Sequence, residues 1–114
     1  MTKEEASKHF NIPEEILDEY HEMGLCDEVK KVMGTWQYDD TDVERLGLIM
    51  TLHDVGFTHE EVAQFMQLEA QGEITKPQRQ KLLDSKRRES LDEIHFKEKQ
   101  LDRLDYLRHK MNRK

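Results

Sequence analysis

The sequence predicts a mainly α fold: a winged helix-turn-helix head, then a helix pair, then one long C-terminal helix. Three observations carry this. Helix breakers are scarce, with five Gly and two Pro in 114 residues, so few points can end a helix. Two short stretches with helical apolar spacing flank a break at Asn11-Ile12-Pro13, the outline of two helices joined by a tight turn. After Pro77 the chain contains no further Gly or Pro, and its apolar residues fall near a helical period.

The first helix is expected over residues 2–9. Thr2-x-x-Glu5 has the capping-box pattern, and Ala6 and Phe10 are its inward residues. Proline suits a first helical turn, so a second helix starts near Pro13. Its inner face is Ile16, Leu17 and Tyr20. Gly24 stops it, and Leu25 is a core candidate just past the cap. Residues 26–38 hold Val29, Val32, Met33, Trp36 and Tyr38 around Gly34, which reads as a small two-stranded hairpin, or wing. Asp39 and Asp40 precede a third helix, about 41–55, with Leu46, Ile49, Met50 and Leu52 inward. Gly56 ends it. Thr58-x-x-Glu61 is a second capping box, opening a fourth helix with Val62, Phe65, Met66 and Leu68 inward, and Gly72 ends that one. The expected divisions are a head with helix pair over 1–72 and a long helix over 77–112.

The long helix poses a packing problem. Leu83, Leu91, Ile94, Leu101, Leu104, Leu107 and Met111 lie close to one stripe. At 1.5 Å per residue its span is roughly 50 Å, too long for the small head to bury. A two-stranded coiled coil is the common solution, with Leu91, Ile94, Leu101, Leu104, Leu107 and Met111 as the interface. Folding back over its own head is the alternative.

Composition supports a need for a partner. Charged residues make up 38% and hydrophobic ones 35%, lean for a self-sufficient core at this size. The formal net charge is −7, unevenly placed. Residues 1–70 hold five Lys/Arg against seventeen Asp/Glu, whereas residues 71–114 hold thirteen against eight. A DNA-binding head ordinarily carries a basic footprint, because neutralised phosphates supply much of the affinity. A single cysteine, Cys26, excludes a disulfide framework within the chain. The N-terminal residues have no signal-peptide pattern, and no apolar run nears the roughly 18 residues of a membrane span. A cytoplasmic protein is expected, with no membrane contact.

Several strings in this order resemble the mercury-resistance-type (MerR) transcription regulators. Glu5-Ala-Ser-Lys-His-Phe-Asn-Ile12 is similar to the family's first helix and turn. Leu17-Asp-Glu-Tyr20 with Gly24-Leu25 is similar to its recognition helix and exit. Gly34-Thr-Trp-Gln-Tyr38 looks like its wing. Asp42-Val-Glu-Arg-Leu46 and Gly56-Phe-Thr-His-Glu-Glu-Val62 look like its helix pair, and Lys99-Gln-Leu-Asp-Arg-Leu-Asp-Tyr-Leu107 like its dimerisation helix. The resemblance covers nearly the whole chain. It implies a homodimer built from antiparallel C-terminal helices, an antiparallel coiled coil. It also implies winged heads that contact successive major grooves of promoter DNA and distort it for RNA polymerase.

On that resemblance the candidate DNA contacts are Lys8, His9, Asp18, Glu19, Tyr20, Trp36 and Arg45. Three of these depart from the family pattern. Asp18 and Glu19 stand where the family carries Arg and an aromatic, and an Asp would repel phosphate. Trp36 stands where its wing carries Arg. His9 could bind phosphate only when protonated. Arg45 either contacts DNA or pairs with an acidic neighbour. Trp36, the sole tryptophan, either completes a thin core or is exposed, to insert at a DNA step or anchor a protein partner. The cluster Lys86-Arg87-Arg88 is either a solvated face or a counterweight to the acidic head.

No catalytic motif is present: there is no Gly-rich phosphate loop, paired-Cys motif or nucleophile elbow. The chain is read as a non-enzyme without cofactor. The sensor cysteines of metal-responsive members are missing after Cys26, which reads as a small buried side chain. His21 near Cys26 does not complete a zinc site, and His53 and His59 read as a surface pair, so no metal is expected. His95 and His109 fall on the solvated faces of the long helix. Two functions remain. One is a dimeric regulator binding promoter DNA through its heads, with no separate effector domain after the long helix. The other is an interaction module that keeps the fold, has lost DNA reading, and pairs with a basic paralogue or the transcription machinery.

Overall fold

A computed structural model describes residues 3–25, 31–32 and 35–113, with the strand residues 31, 32, 35 and 36 described by backbone alone. The elements in order are α1 (Lys3–Phe10), α2 (Glu14–Glu22), β1 (Lys31–Val32), β2 (Thr35–Trp36), α3 (Asp40–Asp54), α4 (His59–Ala70), a 3-10 turn (Glu73–Thr75) and α5 (Lys76–Asn112). The order and the boundaries agree with the sequence expectation to within a few residues. The chain separates into two compact units, Met1–Arg79 and Gln80–Lys114.

In the first unit, α1 places Glu4 and Glu5 in its first turn and Lys8 and His9 in its last, the arrangement favoured by the helix dipole. The turn to α2 is closed by Ile12 N–H donating to the Ser7 carbonyl at 3.0 Å and by Ser7 Oγ donating to the Ile12 carbonyl at 2.6 Å. Asn11 adopts φ +55° there, a left-handed conformation that Asn tolerates better than most side chains. Pro13 then stands at the N-cap of α2.

The helix pair is set by two capping boxes. Asp42 N–H donates to Asp39 Oδ1 at 2.9 Å and Asp39 N–H donates to Asp42 Oδ2 at 3.0 Å. Glu61 N–H donates to Thr58 Oγ1 at 3.2 Å and Thr58 N–H to Glu61 Oε1 at 2.9 Å. The Thr58 box is expected from sequence, whereas the Asp39 box, built from an acidic pair, is not. Between the helices Gly56 takes φ +96°. Its N–H donates to the His53 carbonyl and that of Phe57 to the Leu52 carbonyl, each at 3.0 Å. This paired closure needs the left-handed residue that glycine supplies.

The core of this unit comprises Ala6, Ile12, Leu17, Tyr20, Leu46, Ile49, Leu52, Phe57, Val62, Phe65 and Met66, all buried. Phe57 and Phe65 meet edge to face with centroids 6.0 Å apart, a favourable aromatic geometry. Phe10, Ile16, Leu25, Met50 and Leu68 are only half-buried, so the inner faces are narrower than periodicity suggests. The wing exists as an antiparallel pair, Lys31 opposite Trp36 and Val32 opposite Thr35. The expectations for Thr2, Cys26, Val29, Met33 and Gly34, and for the Trp36 side chain, fall outside the described residues.

Past α4, Thr75 Oγ1 donates to the Leu68 carbonyl at 2.5 Å and accepts from Arg79 Nε at 3.1 Å. Arg79 Nη2 also donates to the Gly72 carbonyl at 3.2 Å. These bonds tie the first turn of α5 to the end of α4. The second unit is the remainder of α5. Leu91, Ile94, Phe96, Leu101, Leu104, Tyr106, Leu107 and Met111 are all exposed along it. No helix among the described residues is long and apolar enough to cross a membrane.

Candidate nucleic-acid interface

The outward faces of α1 and α2 carry several of the candidate contact residues. Lys8 and His9 are exposed at the end of α1, where the sequence placed them. On α2 the exposed side chains Glu14, Glu15, Asp18 and Glu22 are all acidic. Asp18 accepts a hydrogen bond from Lys3 Nζ at 3.0 Å. That bond and the Asp18 charge raise the pKa of the Lys3 ammonium. One basic group at the start of α1 is thereby engaged by an acidic side chain of α2.

Two of the candidate contacts are corrected by the structure. Glu19 and Tyr20 are buried, at 6% and 0% exposure, and point into the head. A helix with a three-to-four residue repeat turns positions 17, 20 and, at its edge, 19 inward when Leu17 is in the core. Tyr20 Oη donates to Asp42 Oδ1 at 2.5 Å, joining α2 to the N-terminal cap of α3. Both oxygens of Glu19 are occupied as well. His53 Nε2 lies 2.7 Å from Oε2 and 2.9 Å from Oε1, and His59 Nδ1 lies 3.2 Å from Oε1. His53 and His59 are therefore not a bland surface pair: they converge on one buried carboxylate. Even so, among the described residues no group of three or more His, Cys, Asp or Glu side chains is arranged to hold a metal ion.

Arg45, left open by the sequence, is paired inside the head. Its Nε lies 3.2 Å from Glu69 Oε2, and both side chains are largely covered. Burial opposes its charge, but hydrogen bonds to Tyr20 and Glu69 and the nearby Glu69 carboxylate raise its pKa above the ordinary range. His21 contacts the Tyr38 hydroxyl through Nε2 at 2.6 Å, and burial lowers its pKa. Tyr38 also packs edge-on against Phe10. These rings brace α1 and α2 against the segment that follows the wing. Trp36 sits in β2 opposite Lys31.

The expected interface residues Leu91, Ile94, Leu101, Leu104, Leu107 and Met111 range from 36% to 86% exposed in the single chain. Sequence periodicity found this stripe. It missed the Lys3–Asp18, Tyr20–Asp42 and His53–Glu19–His59 contacts, because each joins residues fifteen to forty apart on different helices. A partial signal existed for one of them, since Glu19 interrupts an otherwise apolar inner edge of α2.

Comparison with known proteins agrees with this architecture. Residues 1–69 match the model of the MerR HTH family regulatory proteins. A MerR family transcriptional regulator from Listeria monocytogenes has a similar solved structure, with TM-score 0.68 and 23% identity, covering 93% of this chain and 81% of that one. A transcriptional regulator of the MerR family from Bacillus thuringiensis gives TM-score 0.63 and 21% identity, covering 92% and 93%. No curated protein sequence matches significantly. At such identities the two structures speak to the fold alone. The family match spans the whole head, from α1 through nearly all of α4, and on that basis the chain belongs to the MerR HTH family of regulatory proteins.

Proposed function

We propose that the protein is a dimeric transcription regulator that acts at promoter DNA through its two heads. The family match over residues 1–69 carries this reading. It is supported by the complete order of α1, α2, wing and helix pair. The exposed stripe on α5 supports the dimer, because so many large apolar side chains left in water favour burial against a second helix. Lys8 and His9 are the phosphate contacts available on α1, and Trp36 the wing contact. A promoter role places the protein in the cytoplasm and needs no catalysis.

The acidic outer face of α2 favours a second reading, in which the head engages a basic protein instead of DNA. Glu14, Glu15, Asp18 and Glu22 would repel phosphates, and repulsion of several charges lowers affinity steeply at low salt. The partner would then be a basic paralogue joined through α5, or a component of the transcription machinery such as RNA polymerase.

Gel mobility shift of the purified protein on its own upstream DNA, across a salt series, separates the two. Binding that weakens steeply as salt rises supports the regulator. No shift at the lowest salt, with the protein shown to be a dimer by sedimentation, refutes direct DNA reading and leaves the interaction module.

A further inference from the structure

The side of α5 opposite its apolar stripe has a composition of its own. Phe96, Lys99, Arg103, Tyr106, Lys110 and Arg113 follow one another at steps of three and four residues, the spacing that keeps side chains on one side of a helix. Phe96, Arg103, Tyr106 and Arg113 each stand two residues beyond a stripe residue, after Ile94, Leu101, Leu104 and Met111. Two residues turn an α-helix by about 200°, so this set lies away from the stripe, with Leu107 at the border of both. It stays in water even when a second helix covers the stripe.

Phe96 and Tyr106 are 61% and 64% exposed, and the four cations are exposed with them. Among the described residues these cations make no ion pair, whereas Arg108, on the stripe side, pairs with Asp105 at 3.8 Å. Within residues 96–113 the acidic side chains are Glu98, Asp102 and Asp105. Glu98 and Asp105 stand four residues beyond Ile94 and Leu101, on the stripe side. Asp102 lies at the flank of the face, and Asp92 one turn before Phe96. The face runs for roughly 25 Å along the helix.

We propose that this face of α5 binds single-stranded nucleic acid, with Lys99, Arg103, Lys110 and Arg113 on backbone phosphates and Phe96 and Tyr106 stacked on bases. A row of cations neutralises successive phosphates, and exposed rings offer stacking surfaces to unpaired bases. A duplex keeps its bases stacked on one another and leaves the rings unused. A membrane surface calls for apolar and basic residues on opposite sides of a helix, whereas here aromatic rings and cations share one. Protein interfaces are depleted in lysine, and Lys99 and Lys110 are two of the four cations. The charge distribution agrees: residues 71–114 carry thirteen Lys/Arg against eight Asp/Glu, while the acidic head repels a polyanion. No residue of the head takes part, so the proposal goes beyond the promoter reading and stands without it.

The test is fluorescence anisotropy of the full chain with a labelled oligothymidylate of about 16 nucleotides, across a salt series. Log affinity against log salt should have a slope of roughly −3, as for four phosphates of a single strand. Lys99→Gln with Arg103→Gln should bring the slope to about −1.5 and weaken binding by about tenfold at low salt. Phe96→Leu with Tyr106→Leu should weaken binding by about tenfold at an unchanged slope, because stacking is lost while the charges stay. All four positions are exposed, so circular dichroism of both variants should match that of the native chain. No binding at the lowest salt would overturn the proposal, as would unaltered binding by either double variant. A duplex or polyglutamate that displaces the strand as readily, charge for charge, would also overturn it, polyglutamate in favour of an acidic protein partner. Gel shift on the upstream duplex reports on the heads, so either reading can fail without the other.

Discussion

Replacing Tyr20 by Phe removes one oxygen and tests how the head is joined. The hydroxyl donates to Asp42 Oδ1 at 2.5 Å, and both residues are fully buried. The same carboxylate closes the α3 capping box through its other oxygen. The ring of Phe keeps the packing volume, so no cavity opens. What is lost is a hydrogen bond to a carboxylate in a place that water does not reach, together with the contact from Arg45 to the same hydroxyl, and a bond to a charged group contributes about 1.5–3 kcal/mol. For a head of this size that corresponds to a fall in Tm of roughly 10 °C. The assay is urea unfolding followed by circular dichroism at one protomer concentration, because the stability of the proposed dimer would depend on concentration. Asp42→Ala and the double variant complete a mutant cycle, which separates the Tyr20–Asp42 coupling from the separate loss of the cap. A cost under about 0.5 kcal/mol for Tyr20→Phe, or a coupling near zero, would refute the claim that this bond fastens α2 to α3.

Other perturbations probe the remaining contacts. Leu101→Asp places a charge in the exposed stripe of α5 and should convert the proposed dimer to monomer in sedimentation equilibrium; a dimer of unchanged affinity would exclude this stripe from the interface. Asp18→Arg restores a cation at the centre of the outer face of α2, so under the regulator reading DNA affinity should rise and the salt slope should steepen by about one phosphate contact. An unchanged salt series in the gel shift would show that α2 does not face DNA. Thr58→Ala removes the α4 cap and should cost about 1 kcal/mol in urea unfolding; no measurable loss would mean that the box at Thr58 and Glu61 does not hold the start of α4. His21, whose pKa burial lowers, favours the folded state when neutral. Its contribution is present above the ordinary imidazole range and is lost as pH falls through it, so His21→Gln should flatten the acid side of the stability profile. An acid limb as steep as that of the native protein would exclude His21 as its source.

The helices and their ends were legible in the chain because their causes are local. A capping box such as Thr58-x-x-Glu61 acts over three residues, and a glycine such as Gly56 ends a helix through its own φ. The apolar stripe of α5 was legible for the same reason, since its period is a property of consecutive residues. The orientation of α2 was less so. Asp18, Glu19 and Tyr20 are neighbours in sequence; helical spacing puts Tyr20 on the inner face, whereas the resemblance makes all three candidate DNA contacts. Only Asp18 is exposed.

What the sequence determined by itself was the order of elements, the family and the uneven charge, all of which depend on short-range pattern and composition. What the tertiary structure alone decided was which charges are paired with one another. Glu19 is enclosed by two histidines, Arg45 is paired with Glu69, and Lys3 is held by Asp18. Those pairings join residues far apart in the chain, and packing of Leu17, Leu46 and Val62 into one core is what brings them within reach. The outer face of α2 is acidic because the core claims Leu17, Glu19 and Tyr20 and leaves Glu14, Glu15, Asp18 and Glu22 exposed, with Lys3 pairing only with Asp18.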